Sequence, residues 1–325
     1  MIEIPITVVV LAAGKGTRLG PLTLAHSKAM TPILGVPVIQ RVVEAYERNG
    51  CRDFVVVASP GDKPLIEWAR GFRKKGVDVK LSYQKERKGT AHALLQARSL
   101  IHQDFVVTSC DNLYSDEHIS NLLTAHLTHR PPSVITTADY EPTDLDRCAG
   151  VRLCGTMVEE IKEKPGRDSA GWDAISKFLF TFSKDLLDTL DAVEESPRGE
   201  MELQDAITLF MDMCDEFCRA VKVGNYLHLT SQQDLIDIHK HYLEKHRSCI
   251  IHHEAKVEPG VTMYNPVMVD AGALVESGAI IGPYVYLGKN STVKSGAKVE
   301  STVVYPDAVI EENSSIKDSI VVPEH

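Results

Sequence analysis

The sequence predicts an α/β protein in which a doubly wound, mixed but mostly parallel sheet is followed by a parallel β-helix. Three observations support this fold class. A run of β-branched residues at 6–11 is typical of a strand that is buried on both faces. Strand-like and helix-like segments then alternate as far as residue 138, which predicts parallel pairing. Near the end, aliphatic residues recur every six positions, as they do in a β-helix.

The elements of the first part are predicted in a regular order. Strands are expected at 6–11, 54–58, 79–83, 105–108 and 134–138. Helices are expected at 37–49, 63–75, 90–101, 116–128 and 232–246. Ligands of such sheets bind beyond the carboxyl ends of the strands. The loops after Ala12 and after Thr108 are therefore the places where we expect the chemistry.

The six-residue repeat runs from Val257 to Val322, with one residue missing between Val299 and Val304. Small or turn residues such as Pro259-Gly260 follow the aliphatic positions at fixed offsets. The repeat predicts fewer than four coils of roughly 18 residues each. We therefore expect two domains, a catalytic domain at 1–248 and a β-helix at 249–325.

The composition limits the possible partners. The 325 residues carry a formal net charge of −10, which argues against nucleic acid or an anionic membrane as a partner. The seven cysteines form no CxxC pair, so free thiols in a cytoplasmic protein are expected. The apolar run at 4–13 leads directly into a glycine-rich loop, which favours a buried strand over a signal peptide.

The strongest motif is the glycine-rich loop at 11–23. Gly14 and Gly16 follow a strand, so that backbone N–H groups can approach a phosphate chain closely. Lys15 and Arg18 add positive charge, and Lys28 is expected to reach the same phosphates. A dinucleotide-binding loop would need a third glycine, and an ATPase P-loop would need Lys-Ser/Thr after the second glycine.

The segment LAAGKGTRLGPLTLAHSKAMTP at 11–32 resembles the signature of the sugar-phosphate nucleotidyltransferase family. Its part TLAHSK is similar to glucose-1-phosphate thymidylyltransferases, whereas other positions resemble N-acetylglucosamine-1-phosphate uridyltransferases. The resemblance covers roughly residues 6–238 and continues into the tail. It implies a Rossmann-like nucleotidyltransferase fold with a C-terminal left-handed β-helix. It also implies that Arg18 and Lys28 hold the triphosphate and the attacking phosphate.

A carboxylate is expected to bind magnesium after the strand at 105–108. Asp111 stands at the carboxyl end of this strand, and Asp116 already suits the cap of the next helix. The resemblance likewise implies that Asp111 ligates the metal. For the second ligand, the resemblance offers Asn225 or His228. Asn225 is favoured, because Mg²⁺ prefers oxygen to an imidazole.

Further motifs follow in the family's order. Gln84 resembles the base-reading residue, and its amide can pair with a uracil or thymine edge. Glu163-Lys164-Pro165 matches the element that grips the sugar hydroxyls and the phosphate. Arg198-Gly199-Glu200-Met201-Glu202 resembles another family stretch. Ser176-Lys177-Phe178 departs from the usual Asn-x-Gly, which puts the identity of the sugar in doubt.

The resemblance assigns the remaining site residues by position. Nucleotide binding is assigned to Leu11, Ala12, Ala13, Gly14, Lys15, Gly16, Thr17, Arg18, Gln84, Gly89 and Thr90. Sugar-phosphate binding is assigned to Asn112, Gly150, Glu163, Lys164 and Ser176. The residues expected to act in catalysis are Arg18, Lys28, Asp111 and Lys164.

These assignments predict an enzyme that transfers a nucleoside monophosphate from UTP or dTTP to a sugar-1-phosphate and releases pyrophosphate. The attacking phosphate is already anionic, so positioning and charge neutralisation suffice without a general base. Alternatives are a guanylyl- or cytidylyltransferase of the same fold, and a regulatory protein that binds nucleotide sugars without turnover. The β-helix is expected to assemble a homo-oligomer, since it is short for an acetyltransferase site.

Overall fold

The computed structural model describes residues 3–14, 16, 19–20, 27–215 and 217–323. Its contacts divide the chain into two units. The first unit contains the N-terminal strand and residues 39–226, and the second contains residues 31–38 and the chain from residue 227 onward. Every described helix is too short or too polar to cross a membrane. The boundary expected after residue 248 stays a prediction.

Among the described residues, thirteen strands and six α-helices precede the coil. The strands are β1 (Thr7–Leu11), β2 (Pro32–Ile33), β3 (Val36–Pro37), β4 (Asp53–Ala58), β5 (Asp78–Tyr83), β6 (Phe105–Ser109), β7 (Asn112–Leu113), β8 (Ser133–Ala138), β9 (Gly150–Cys154), β10 (Met157–Lys162), β11 (Ala174–Phe182), β12 (Cys218–Lys222) and β13 (Leu227–His228). The helices are α1 (Val38–Arg48), α2 (Lys63–Gly71), α3 (Thr90–Ala97), α4 (Asp116–His129), α5 (Leu203–Cys214) and α6 (Gln232–Glu244). Short 3₁₀ helices include Lys28–Met30, Arg98–Leu100, Pro142–Asp146, Lys184–Asp188 and Leu190–Ala192.

The first unit is built on a nine-stranded sheet in the order β5-β4-β1-β6-β11-β8-β12-β10-β9. Strand β1 is parallel to both β4 and β6, with Thr7 opposite Asp53 on one side and Phe105 on the other. Seven of the nine strands point the same way, and β10 and β11 run against them. The predicted mixed, mostly parallel sheet is therefore confirmed. Strand β11, which the sequence pattern did not reveal, lies between β6 and β8.

The central strands are buried because both faces of the sheet are covered. Val8, Val9 and Val10 of β1 have no exposed surface, as the continuous apolar run predicted. Parallel strands end at the same edge of a sheet, so the loops that follow β1 and β6 meet there. The sheet thereby brings the glycine loop beside the segment that carries Asp111.

Side chains define the start of two helices in this unit. Asp62 accepts a hydrogen bond from the Leu65 N–H at the start of α2. Ser115 accepts one from the His118 N–H at the start of α4, so the expectation that Asp116 caps this helix is wrong. Asp116 is instead the first residue of α4 and pairs with Arg48. Ser115 has the extended backbone of a cap residue.

The last part of the chain forms a coil with three parallel sheets. The first face contains β14 (Cys249–Ile251), β17 (Val267–Val269), β20 (Val285–Leu287), β23 (Val303–Val304) and β26 (Ile320–Val321). The second face contains β15 (Lys256–Val257), β18 (Leu274–Val275), β21 (Thr292–Val293) and β24 (Val309–Ile310). The third face contains β16 (Thr262–Met263), β19 (Ile280–Ile281), β22 (Lys298–Glu300) and β25 (Ser315–Lys317). This arrangement matches the predicted left-handed β-helix.

The register of the coil confirms the missing residue in the repeat. Val267 pairs with Val285, eighteen positions later, whereas Tyr286 pairs with Val303, seventeen positions later. The expected number of coils, fewer than four, is wrong, because four complete coils precede β26. The first coil begins at β14, where no glycine marks the corner after Ile251. The glycine pattern therefore could not reveal it.

Residues 31–38 and α6 pack against the first coil face within the second unit. The Leu34 N–H donates to His239 Nε2 of α6 over 3.2 Å. The His239 ring lies 5.6 Å from the Tyr286 ring of β20, and the Tyr286 hydroxyl donates to Asp270. Inside the coil, valine, isoleucine, leucine and alanine side chains form a continuous apolar core.

Candidate active site

An ion pair between Lys28 and Asp111 occupies the edge of the sheet where β1 and β6 end. Lys28 begins a 3₁₀ helix and Asp111 follows β6 by two residues. Their side chains are only 13% and 15% exposed. The Cys110 N–H donates to the Leu11 carbonyl over 3.2 Å, which ties the segment carrying Asp111 to the end of β1. Two predicted catalytic residues, distant in sequence, are thus brought together.

The glycine loop leaves β1 beside this pair. The Ala12 N–H donates to the Val57 carbonyl, and the Ala13 carbonyl accepts from Arg87 Nε over 2.8 Å. Gly14 is exposed, and a Cβ placed on it would meet nothing within 4 Å in the described part of the chain. Gly16 has a φ of +63°, in the region that favours glycine.

Three of the residues predicted to bind the nucleotide, Lys15, Thr17 and Arg18, lie outside the described residues. Arg87 was not predicted to belong to the site. Arg87 follows β5 and donates a hydrogen bond to the Ala13 carbonyl of the glycine loop. Because the acceptor is a backbone carbonyl, no motif in the sequence indicates this contact.

Gln84, the predicted base-reading residue, is buried with its amide turned toward its own segment. Nε2 donates to the Gly89 carbonyl over 3.0 Å and lies 3.1 Å from His92 Nδ1. The backbone N–H of Gln84 donates to the Ala58 carbonyl. Pairing with a base through this amide N–H group would therefore require it to exchange an existing partner.

Gly89 and Thr90 connect the start of α3 to the segment before α5. Gly89 has a φ of +102°, and any Cβ there would overlap the backbone of Met201. The Met201 carbonyl accepts from the Ala91 N–H, and Thr90 Oγ1 accepts from the Leu203 N–H. The structure thus brings together two predicted motifs that lie more than one hundred residues apart.

The surroundings of Asp111 fit a hard metal ion that substrate oxygens help to coordinate. Asn112 donates to Ser109 Oγ over 2.9 Å, and its buried Oδ1 has no partner among the described residues. In the described part of the chain, no group of three His, Cys, Asp or Glu side chains could by itself hold a metal. Mg²⁺ commonly uses one or two carboxylates together with substrate phosphates, so Asp111 beside the glycine loop suits it.

The predicted second ligand, Asn225, is exposed. Its neighbour Tyr226 stacks on Tyr114 with ring centroids 5.7 Å apart and planes at 20°. Since Tyr114 follows Asp111 by three residues, the loop with Asn225 lies beside the segment with Asp111. The alternative ligand, His228, is also exposed, and its Nδ1 lies 3.1 Å from Thr230 Oγ1.

Acidic and basic side chains alternate at the end that resembles the sugar site. Lys164 Nζ lies 3.2 Å from Glu163 Oε1, and Arg198 pairs with the buried Glu202 over 2.8 Å. Burial raises the pKa of Glu163, and the nearby Lys164 opposes that rise. Burial likewise raises the pKa of Asp205, with Glu202 adding to the effect. This end can therefore offer both hydrogen-bond acceptors and cations to a hydroxylated ligand.

Gly150 and Ser176, also assigned to the sugar phosphate, lie on neighbouring strands. A Cβ on Gly150 would stand 2.5 Å from the Trp172 ring, so glycine makes room for this indole. The Ser176 N–H donates to the Ala149 carbonyl over 2.8 Å. Trp172 is held by its own N–H to Ser169 Oγ over 2.9 Å. Trp172 lies next to Gly150 only through a tertiary contact, so sequence patterns did not indicate this neighbour.

Known proteins are similar to this chain in fold and in sequence. A family model described as nucleotidyl transferase matches residues 7–245, and one described as GMPPB C-terminal domain matches 263–324. The UDP-glucose pyrophosphorylase structure from Acinetobacter baumannii aligns with a TM-score of 0.66 and 19% identity, over 76% of this chain and 95% of that one. This structural likeness supports the fold.

Two relatives extend the comparison. The bifunctional protein GlmU of Methanocaldococcus jannaschii is 24% identical over 332 residues, 96% of this chain and 76% of that protein. The UTP–glucose-1-phosphate uridylyltransferase AglF of Haloferax volcanii is 30% identical over 207 residues, 62% of this chain and 82% of that protein. The family indicated by the glycine-loop motif is confirmed. With its ion pair at the edge of the sheet and a family match over most of its length, the chain belongs to the nucleotidyl transferase family.

Proposed function

We propose that this chain transfers a nucleoside monophosphate from UTP or dTTP to a sugar-1-phosphate and releases pyrophosphate. The contact between Lys28 and Asp111 carries this proposal, because it joins a cation and a carboxylate beside a glycine loop. Phosphoryl and nucleotidyl transfer need these groups around the phosphates. The names of the relatives, a uridylyltransferase and a bifunctional nucleotidylyltransferase/acetyltransferase among them, support the same reaction class.

In the proposed reaction, an oxygen of the sugar-1-phosphate attacks the α-phosphorus of the triphosphate. The new bond to this oxygen forms as the bond from the α-phosphorus to the bridging oxygen breaks, and pyrophosphate leaves with the electron pair. Lys28, Lys164 and Arg18 neutralise phosphate charge, while Gly14 lets the backbone approach the triphosphate. Glu163 holds sugar hydroxyls. No proton needs to be removed from the attacking phosphate.

The family generally uses a divalent metal ion, and we assign Mg²⁺ to this chain. Asp111 and Asn225 would hold it, and it would supply positive charge to the triphosphate oxygens when bound. The unpartnered Oδ1 of Asn112 adds a further oxygen close to Asp111 in sequence. In this structure the Lys28 ammonium is paired with the Asp111 carboxylate. Binding of the metal and triphosphate would therefore replace Lys28 by the metal ion as the cation next to Asp111.

We also assign homo-oligomer assembly to the β-helix, because exposed apolar side chains such as Tyr264 and Val309 remain on it. The seven cysteines, all among the described residues, form no disulfide, which supports a reducing compartment such as the cytoplasm.

The reaction is tested by pyrophosphate release with four triphosphates and several sugar-1-phosphates. Wild-type protein with Mg²⁺ should release pyrophosphate with UTP or dTTP. Asp111→Asn should lower kcat by about 10²–10³-fold, as loss of a preorganised charge does, with an unchanged melting temperature. The exposed Asp116 provides the matched control, and Asp116→Asn should remain active. If pyrophosphate were released with GTP or CTP alone, the assignment of UTP or dTTP as the substrate would be wrong. If no combination of triphosphate and sugar-1-phosphate released pyrophosphate, a regulatory protein would be favoured.

A further inference from the structure

Lys177 lies in an irregular part of β11, near the end of β6. Ser176 pairs with Thr137 of β8, yet Phe180, four residues later, pairs with Ile135, only two residues earlier on β8. Residues 177–179 therefore form a bulge, a feature that turns side chains away from the regular alternation and is frequent next to active sites. Leu179 is also the residue at which β11 stops pairing with β6, opposite Thr108. The Lys177 backbone is thus placed beside the segment that carries Asp111.

The Lys177 ammonium is held over an aromatic ring. Its Nζ lies 5.1 Å from the centroid of the Tyr226 ring, and this ring stacks in turn on Tyr114. Lys177 is partly buried, and no ion pair joins it to a carboxylate in the described part of the chain. A cation over a ring face gains less than a charged hydrogen bond would provide. Lys177 therefore retains its capacity to bind an anion.

Strand pairing shows which end of the site Lys177 occupies: Ile175 of β11 pairs with Gly150 of β9, and Gly150 pairs in turn with Lys162, the residue before Glu163. Burial raises the pKa of the Cys148 thiol; Lys177 opposes this rise, and Glu163 adds to it. Lys177 therefore shares its surroundings with Glu163, at the end assigned to the sugar, and the phosphates are already provided with Lys28 and Lys164.

We propose that Lys177 determines the specificity for the sugar, and that the acceptor is a sugar-1-phosphate whose ring carries a carboxylate, as in a uronic acid. This inference rests on the proposed function and names its substrate class. The carboxylate would accept hydrogen bonds from the Lys177 ammonium while Tyr226 holds the lysine stem in place. The ring hydroxyls would remain with Glu163. A neutral hexose-1-phosphate would provide no anion for the Lys177 charge.

The test compares glucuronic acid 1-phosphate with glucose 1-phosphate. Binding to the full chain is measured by calorimetry in the presence of Mg²⁺ and a non-hydrolysable UTP analogue, and kcat/KM is measured by pyrophosphate release. Lys177→Met removes the charge and keeps most of the stem, whereas Lys177→Arg keeps the charge. Lys184→Met is the matched control, because Lys184 is exposed just beyond the other end of β11.

The wild-type protein should prefer the uronic acid by at least about tenfold in Kd, the ratio expected for one charged hydrogen bond. Lys177→Met should abolish this preference with less than about a twofold change for glucose 1-phosphate. Lys177→Arg should retain part of it, and Lys184→Met should retain all of it. Equal losses for both sugars would overturn the inference and place Lys177 on the shared 1-phosphate.

The binding measurement separates this inference from the proposed function. If the uronic acid binds more tightly through Lys177 but no pyrophosphate is released with any triphosphate, the reaction is wrong and the specificity stands. If pyrophosphate is released while the wild-type protein binds both sugars equally, the reaction stands and the role of Lys177 is refuted.

Discussion

Two glycines of the coil and Gly14 of the sheet unit differ in the space around their Cα atoms. In the coil, a Cβ on Gly282 would overlap the Tyr264 carbonyl oxygen, and one on Gly288 would stand 2.7 Å from the Pro306 nitrogen. In the sheet unit, a Cβ on Gly14 would meet nothing within 4 Å among the described residues. Packing therefore requires glycine at 282 and 288, whereas packing among the described residues does not require glycine at 14. Open space alone does not assign a role to Gly14, since Gly61 and Gly71 are equally open; its position at the end of β1 beside Lys28 and Asp111 is what points to a ligand.

The two units also differ in whether they bury ionisable side chains. The buried core of the coil consists of valine, isoleucine, leucine and alanine. The sheet unit instead places largely buried ionisable groups at its site, among them Asp111, Glu163 and Glu202. Burying such groups lowers the free energy of unfolding unless they are paired. The sheet unit therefore loses stability at its site, whereas the coil core buries no ionisable group of this kind.

The largest expected effect is on the coil. Gly282→Ala should destabilise the protein by about 2–4 kcal/mol, because the new Cβ overlaps a backbone carbonyl at a φ of +100°. Thermal unfolding followed by circular dichroism measures this loss. The control is Gly71→Ala at the end of α2, where a Cβ meets nothing within 4 Å in the described part of the chain. A wild-type melting temperature for Gly282→Ala would contradict the distinction drawn for the coil.

A smaller effect, on binding alone, is expected at the glycine loop. Gly14→Ala should weaken UTP binding by about tenfold, equivalent to about 1.4 kcal/mol, because the methyl group occupies the space intended for phosphate. The melting temperature without ligand should stay at the wild-type value. Gly61→Ala, in the loop after β4, also adds a Cβ in open space and should leave both quantities unchanged. Unchanged UTP affinity in Gly14→Ala would show that no ligand uses this space.

The smallest effect concerns the buried charge of Glu163. Burial raises the pKa of Glu163 in the folded protein, so the native state holds this proton to a higher pH than the unfolded chain does. Stability is then lost as the pH rises from the unfolded pKa through the folded pKa. Glu163→Gln cannot titrate, so its melting temperature should rise relative to that of the wild type as the pH increases above the pKa of glutamate in the unfolded chain.

The control for this variant is Glu159→Gln, because Glu159 is exposed on β10, the strand that ends just before Glu163. Its melting temperature should follow that of the wild type at every pH. If the melting temperatures of Glu163→Gln and the wild type changed with pH in parallel, the buried Glu163 carboxylate would not lower stability as predicted. Loss of sugar-1-phosphate binding in the same variant would be expected from the role proposed for Glu163.

Local patterns alone determined much of this protein. The run at 6–11 predicted a buried strand, since only a strand covered on both faces tolerates continuous β-branched residues. The six-residue repeat predicted the coil and its missing residue, because each coil repeats the same inward position. The alternation of elements placed Asp111 at a strand end next to the glycine loop. Periodicity is a local property, so it survives in the sequence without knowledge of the fold.

Only the tertiary structure determined the features that depend on contacts between distant segments. Strand β11 lies between β6 and β8, and its bulge places Lys177 over Tyr226. Gly89 is a glycine because the Met201 backbone passes against it, and Arg87 holds the glycine loop through a carbonyl. No spacing in the chain encodes such pairs, since either partner alone is compatible with many neighbours. The sequence therefore predicted the reaction class, whereas the tertiary structure provided the grounds for choosing a sugar.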